Sequence, residues 1–164
     1  MGLSSCTSDD EQTEDLEGQF EALVALSESA TCEDSSEWRF AGIGAKPCGG
    51  PTGYIAYATR IDTVDFLRRL ETYNEAVRAK NELEGLISDC ALEPVPIGVQ
   101  CKDGMPILIY SLCDLEPDQG FCEAAIPRYY FDSEDGECKE FLWGGCGGVV
   151  PFETMEDCRE CEHN

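Results

Sequence analysis

The sequence predicts an α+β protein in two folded parts: a small α+β domain with one long helix and two or three strands, then a small disulfide-rich domain. Three observations carry this prediction. Six of the eleven cysteines fall in the last 52 residues. Apolar side chains recur at helical spacing from Phe66 to Ile87, and short runs rich in aromatic and β-branched residues stand between clusters of turn residues. A chain of 164 residues holds one ordinary domain or two small ones, and the cysteine clustering selects two.

From Thr7 to Glu37 there are eleven Asp or Glu and no Lys or Arg. Such a composition buries too little apolar surface to offset ordering entropy and self-repulsion, so residues 1–31 read as an acidic, disordered tether, with Phe20–Leu26 able to form a short helix. The first domain, residues 32–112, opens near Cys32. Trp38, Phe40 and Ile43 roughly alternate, and Gly53–Arg60 is rich in Tyr, Ile and Thr, so both read as strands. Lys46–Gly53 between them is dense in turn residues. It has neither the Walker pattern nor the dinucleotide spacing, which makes it a disulfide-pinned turn rather than a phosphate cradle.

The helix follows, with Asp62 or Thr63 as N-cap. Its apolar stripe is Phe66, Leu67, Leu70, Tyr73, Val77, Leu83, Leu86 and Ile87, and it is expected to end around Ser88–Cys90, ahead of Pro94 and Pro96. Core packing accounts for the whole stripe. A last strand, Pro106–Leu112, runs into Cys113.

The net charge of −23 makes phosphate backbones and anionic headgroups unfavourable partners, so nucleic acid is excluded. The charge is shared, −12 over residues 1–112 and −11 over 113–164, and reads as a solubility feature, the alternative being a specific cationic partner. No run of 18 apolar residues occurs. Cysteine at this density reads as a disulfide framework from an oxidising compartment. Cys158 and Cys161 form a CxxC with no second pair near it, so no metal is expected, and no cofactor is implied. Residues 32–112 contain no histidine and no catalytic constellation, so the chain is not expected to be an enzyme.

Cysteine parity singles out Cys6. Cys32, Cys48, Cys90 and Cys101 form two bridges whose pairing the sequence leaves open. Leu3-Ser4-Ser5-Cys6 resembles a bacterial lipobox, in which the cysteine is lipidated; the alternative is a free or intermolecular thiol. Myristoylation at Gly2 lacks the Ser or Thr expected at position 6. Met1-Gly2 leaves no room ahead of this motif for a basic segment and apolar core. Membrane contact is expected only through an anchor at Cys6.

The last six cysteines, Cys113, Cys122, Cys138, Cys146, Cys158 and Cys161, are separated by 8, 15, 7, 11 and 2 residues. Around them lie Leu115–Cys122, the run Arg128-Tyr-Tyr-Phe131, Cys138-Lys-Glu-Phe-Leu-Trp-Gly-Gly-Cys146 and Phe152–Cys158. This combination resembles the Kunitz/BPTI family of protease inhibitors over residues 113–161, about a third of the chain, with the C-terminal domain taken as 113–164. The first three intervals match the family pattern, and the last two are each one residue short. The resemblance implies the pairs Cys113–Cys161, Cys122–Cys146 and Cys138–Cys158, and a core of Phe131, Phe141, Trp143 and Phe152. It implies a substrate-like protease-binding loop of Phe121, Cys122, Glu123, Ala124, Ala125 and Ile126, with Glu123 as the specificity residue and Gly144, Gly145 and Gly147 as a second edge. The IGAKPCGGPTGYIAY run, the Tyr-Asn within the helix, and the later Ser-Asp-Cys and Cys-Lys-Asp-Gly are similar to uncharacterised bacterial secreted lipoproteins, a likeness that brings no activity.

Glu123 sets the functional expectation. An unpaired carboxylate against the buried aspartate of a trypsin-like pocket costs several kcal/mol, and an apolar pocket would have to desolvate it. The implied function is therefore serine endopeptidase inhibition not directed at trypsin, with a Glu-preferring protease as partner. The alternative is a non-inhibitory Kunitz-fold module that binds another protein on a secreted lipoprotein. The implied location is extracellular or cell-envelope, as an outer-membrane lipoprotein. Two departures bear on the fold: Gly147-Gly-Val-Val-Pro-Phe152 replaces an Asn-rich segment, and Cys158 and Cys161 stand at i, i+3, so the helix end must adjust for Cys113–Cys161 to close.

Overall fold

The computed structural model describes residues 8–88 and 90–163. The chain divides into two compact units, one ending at Leu108 and the other starting at Ile109. The division falls inside the last expected strand of the first domain rather than at residue 112.

The first unit is mixed α and β. Helix α1 spans Ser8–Ser27, β1 Trp38–Ile43 and β2 Gly53–Ala58. Helix α2 spans Thr63–Glu84, and β3 (Gly98–Lys102) and β4 (Met105–Ile109) follow. Strands β1 and β2 pair antiparallel, from Trp38 opposite Ala58 to Ile43 opposite Gly53. Alternation along this hairpin gives it two apolar faces. Ile43 and Ile55, with Ala41 and Tyr57, pack on Leu23, Phe66 and Leu70 from the two helices. Trp38, Ala56 and Ala58 pack with Cys32, Val99, Cys101 and Leu108 on the other side. The β3–β4 ribbon is fastened there by the Cys32–Cys101 bridge and by the Cys32 N–H donating to the Gly104 carbonyl at 2.8 Å.

Three expectations for this unit are corrected. The segment read as a tether is helical over Ser8–Ser27, and its C-terminal half belongs to the core. Leu23 is 1% exposed, and the Ser27 hydroxyl, also buried, donates to the Ala56 carbonyl at 2.6 Å. Leu16, Phe20, Leu23 and Ser27 recur every three or four residues, and this one narrow stripe outweighs the acidic composition around it. Cys6 lies outside the described residues.

Helix α2 stops earlier than expected. Asp62 caps its start, accepting from the Asp65 N–H at 3.0 Å, and Gly85 ends it in the left-handed conformation, its N–H reaching the Asn81 and Glu82 carbonyls. Leu86 and Ile87 therefore leave the stripe and are exposed, as is Leu83 within the helix. The third correction is β3, which was not expected. Asp103 and Gly104 both have positive φ, 51° and 80°, the geometry of a two-residue hairpin turn.

The second unit is built on an antiparallel hairpin, β5 (Ile126–Asp132) and β6 (Glu137–Trp143), paired from Ile126 opposite Trp143 to Asp132 opposite Glu137. Its turn is held by Lys139, whose ammonium donates to Asp132 at 2.7 Å and also to Asp135. The Lys139 bond chiefly, with the Glu134 N–H, lowers the Asp132 pKa, and the two carboxylates raise that of Lys139. Helix α3 (Met155–Arg159), capped by Thr154, continues as a 3-10 turn over Glu160–His163.

The register decides the core. Tyr129, Phe131 and Cys138 share the face that meets buried Phe152, Cys158 and Cys161, while Phe141 and Trp143 lie on the opposite face with Arg128 and Tyr130. The expected core of four aromatics is thus split. Phe131 and Phe152 belong to it; Phe141 meets Tyr130 edge-on at 6.1 Å, and Trp143 lies under the Arg128 guanidinium at 5.5 Å. Phe152 also pairs with Tyr129 through reciprocal backbone bonds of 3.0 and 3.1 Å, so the Val-Val-Pro-Phe segment completes the edge of β5.

Candidate functional site

The segment between the Leu112–Asp114 turn and β5 is irregular in backbone but fixed in position. Asp118 exchanges two backbone bonds with Val149, at 3.0 and 3.1 Å, and its carboxylate accepts from the Gly120 N–H at 2.9 Å. Gly144 donates to the Gln119 carbonyl at 2.8 Å and accepts from the Ala124 N–H at 2.9 Å. The Cys122–Cys146 bridge, with a Cα separation of 5.5 Å, ties the middle of the first segment to the second. These ties sit behind the chain. Residues 121–125 are nonetheless exposed, Phe121 at 85%, and Ile126 is half-buried.

Gly144 has to be glycine for a steric reason. A Cβ there would stand 2.8 Å from the Cys122 carbonyl carbon and 2.9 Å from the Gln119 oxygen, both backbone atoms that cannot swing aside. At Gly145 a Cβ would come within 3.1 Å of the Ala124 methyl, so the two small residues need each other. The Trp143 indole N–H donates to the Gly147 carbonyl at 2.8 Å, which fixes the far side of this second edge.

The structure therefore brings Phe121 to Ile126 alongside Gly144, Gly145 and Gly147. It also supplies supports that the sequence did not single out: Asp118, Gln119 and Val149. Only Asp118 left a legible trace, as an Asp two residues ahead of Gly120 in an Asx-type turn. The bridges Cys113–Cys161, Cys122–Cys146 and Cys138–Cys158 form in this unit, and Cys32–Cys101 and Cys48–Cys90 in the first. Among the described residues no group of three or more His, Cys, Asp or Glu is placed to hold a metal ion, and no helix is long and apolar enough to cross a membrane.

A twisted hairpin, a short C-terminal helix, three bridges and an exposed loop clasped from behind define a small disulfide-braced binding module. Residues 112–162 match the Kunitz/Bovine pancreatic trypsin inhibitor domain, and the chain belongs to that family. It is 48% identical over 50 residues to PI-stichotoxin-She2a of Stichodactyla helianthus, covering 30% of this chain and 91% of that protein. It is 51% identical over 49 residues to Doenitin-1 of Haemaphysalis doenitzi (29% of this chain, 35% of that protein). To the carboxypeptidase inhibitor SmCI of Sabellastarte magnifica it is 53% identical over 47 residues, 28% of each. The chain thus spans about a third of the length of Doenitin-1 and less of SmCI.

Proposed function

We propose that the C-terminal unit inhibits a serine-type endopeptidase by offering residues 121–126 as a rigid, substrate-like segment with Glu123 directed at the specificity pocket. The observation that carries this reading is the combination of exposure and restraint. Glu123 and Ala124 are open to solvent, while Cys122 is bridged to Cys146 and the Ala124 N–H is bonded to Gly144. A loop already ordered loses little entropy on docking, which is how an interface of standard size becomes tight. Family membership supports inhibition; the carboxylate at 123 directs it away from trypsin and toward a protease whose pocket is lined by cationic or hydrogen-bond-donating groups.

The test is titration of the purified chain against trypsin, chymotrypsin, elastase and a glutamyl endopeptidase. The expected result is inhibition of the glutamyl endopeptidase alone, with Glu123→Arg creating trypsin inhibition. Failure of both forms to inhibit any of the four overturns the proposal. The charge of Glu123 is also what favours the second reading, a Kunitz-fold module that binds a protein other than a protease.

The reading extends to location. The ten described cysteines form five bridges, which supports an oxidising, extracellular or cell-envelope setting. Lipidation at Cys6, and kinship of the first unit with secreted lipoproteins, remain part of this proposal. Intact mass of the protein from its native membrane fraction tests the anchor: a mass without acyl groups removes it.

A further inference from the structure

We infer that Phe121 is a second recognition element beside Glu123, and that the target carries an apolar shelf next to the pocket that receives the carboxylate. This rests on the inhibitory reading of the same loop.

Phe121 has the highest exposure among the Phe, Trp, Tyr, Leu and Ile side chains described in its unit for no packing reason of its own: at 85% exposed, its ring contributes nothing to the core of Phe152, Cys158 and Cys161. An apolar side chain that large, held open to water in a unit so acidic, is the residue type that dominates binding energy when a partner covers it. The ring is also held in place. A Cβ on Gly147 would stand 2.8 Å from Phe121 Cδ1, so the ring lies directly over the Gly147 backbone, which is itself fixed by the Trp143 indole bond and has a φ of +60°. Absence of a side chain at 147 is what makes room for it. Glu123 is two residues on, about 7 Å along an extended chain. One anchor is anionic and the other aromatic, so the complementary surface pairs a cationic pocket with an apolar wall within that distance.

The experiment measures inhibition constants for Phe121→Ala in two backgrounds, the unaltered chain against a glutamyl endopeptidase and Glu123→Arg against trypsin, with circular dichroism checking the fold. Because Phe121 is outside the core, the substitution leaves folding intact. The expected result is a weakening of about 30-fold in whichever pair inhibits, and a comparable loss for Gly147→Ala, which displaces the ring without touching Glu123. A change under about twofold for Phe121→Ala in every pair that inhibits overturns this inference and leaves the inhibitory reading standing. Absence of inhibition in both backgrounds overturns the two together.

Discussion

Cys158 and Cys161 are three residues apart, and both are buried against the same core, at 0% and 6% exposure. On a regular α-helix of 3.6 residues per turn they would be about 60° out of line. The chain avoids this by leaving the α-helix at Arg159 and continuing as a 3-10 turn, whose three residues per turn bring i and i+3 into register. The shortened last interval of the cysteine framework is absorbed there, and Cys161 meets Cys113 at a Cα distance of 5.7 Å.

The Cys113–Cys161 bridge closes a long loop, with a sequence separation of 48. Loop-closure entropy for that length is worth about 4 kcal/mol. Cys113→Ser combined with Cys161→Ser is expected to lower the stability of the C-terminal unit by about that amount in urea denaturation. A loss under about 1 kcal/mol would show that the 3-10 turn holds the cysteines together without the bond.

Gly144→Ala is expected to destabilise the C-terminal unit by about 1–3 kcal/mol, because the added methyl meets the Cys122 carbonyl and the Gln119 oxygen. Amide shifts of Cys122 and Ala124 in NMR spectra report the accompanying displacement of the loop. Unchanged shifts and stability would mean that the two segments do not touch as described.

The turn between β5 and β6 has a pH window. The Asp132 pKa is depressed by the Lys139 bond and then by the Glu134 N–H, so its contribution is present above the ordinary carboxyl range and lost as the pH falls through its lowered value. Lys139, raised by Asp132 and then Asp135, contributes below the ordinary lysine range and ceases to do so as the pH climbs past its raised value. Hairpin amide exchange is expected to be slowest, after correction for intrinsic rates, between those limits. A carboxyl-carbon titration of Asp132 with an ordinary aspartate midpoint would remove the acid side of the window.

Leu23→Ala separates a packed α1 from a solvated one. Removal of a fully buried leucine costs about 2–5 kcal/mol, so the N-terminal unit is expected to unfold at correspondingly lower urea. A cost below about 0.5 kcal/mol would return the segment to solvent.

Much of this architecture could be read from residue patterns, and the misses have particular causes. The β1 and β2 runs were visible because aromatic and β-branched residues stand between turn clusters, α2 because its stripe is long, and β5 and β6 only through the family resemblance of the runs around Cys138. Helix α1 was expected only as a short Phe20–Leu26 segment because composition averages over a segment whose packing depends on a few positions, Leu23, Val24 and Leu26. Gly85 and the Asp103-Gly104 pair were signals in plain view, one stopping a helix and one turning a hairpin, but the prolines at 94 and 96 drew the helix end too far along the chain. The loop residues could be mapped from their cysteine, whereas its supports at Gln119 and Val149 act through backbone atoms, which side-chain identity does not report.

The two clasps of the exposed loop fall on opposite sides of one peptide bond. Cys122 is bridged to Cys146 ahead of it, and the Ala124 N–H is bonded to Gly144 behind it. Scission between Glu123 and Ala124 would therefore release neither end. The severed termini would stay a bond's reach apart, and the nick could be resealed as readily as it was made.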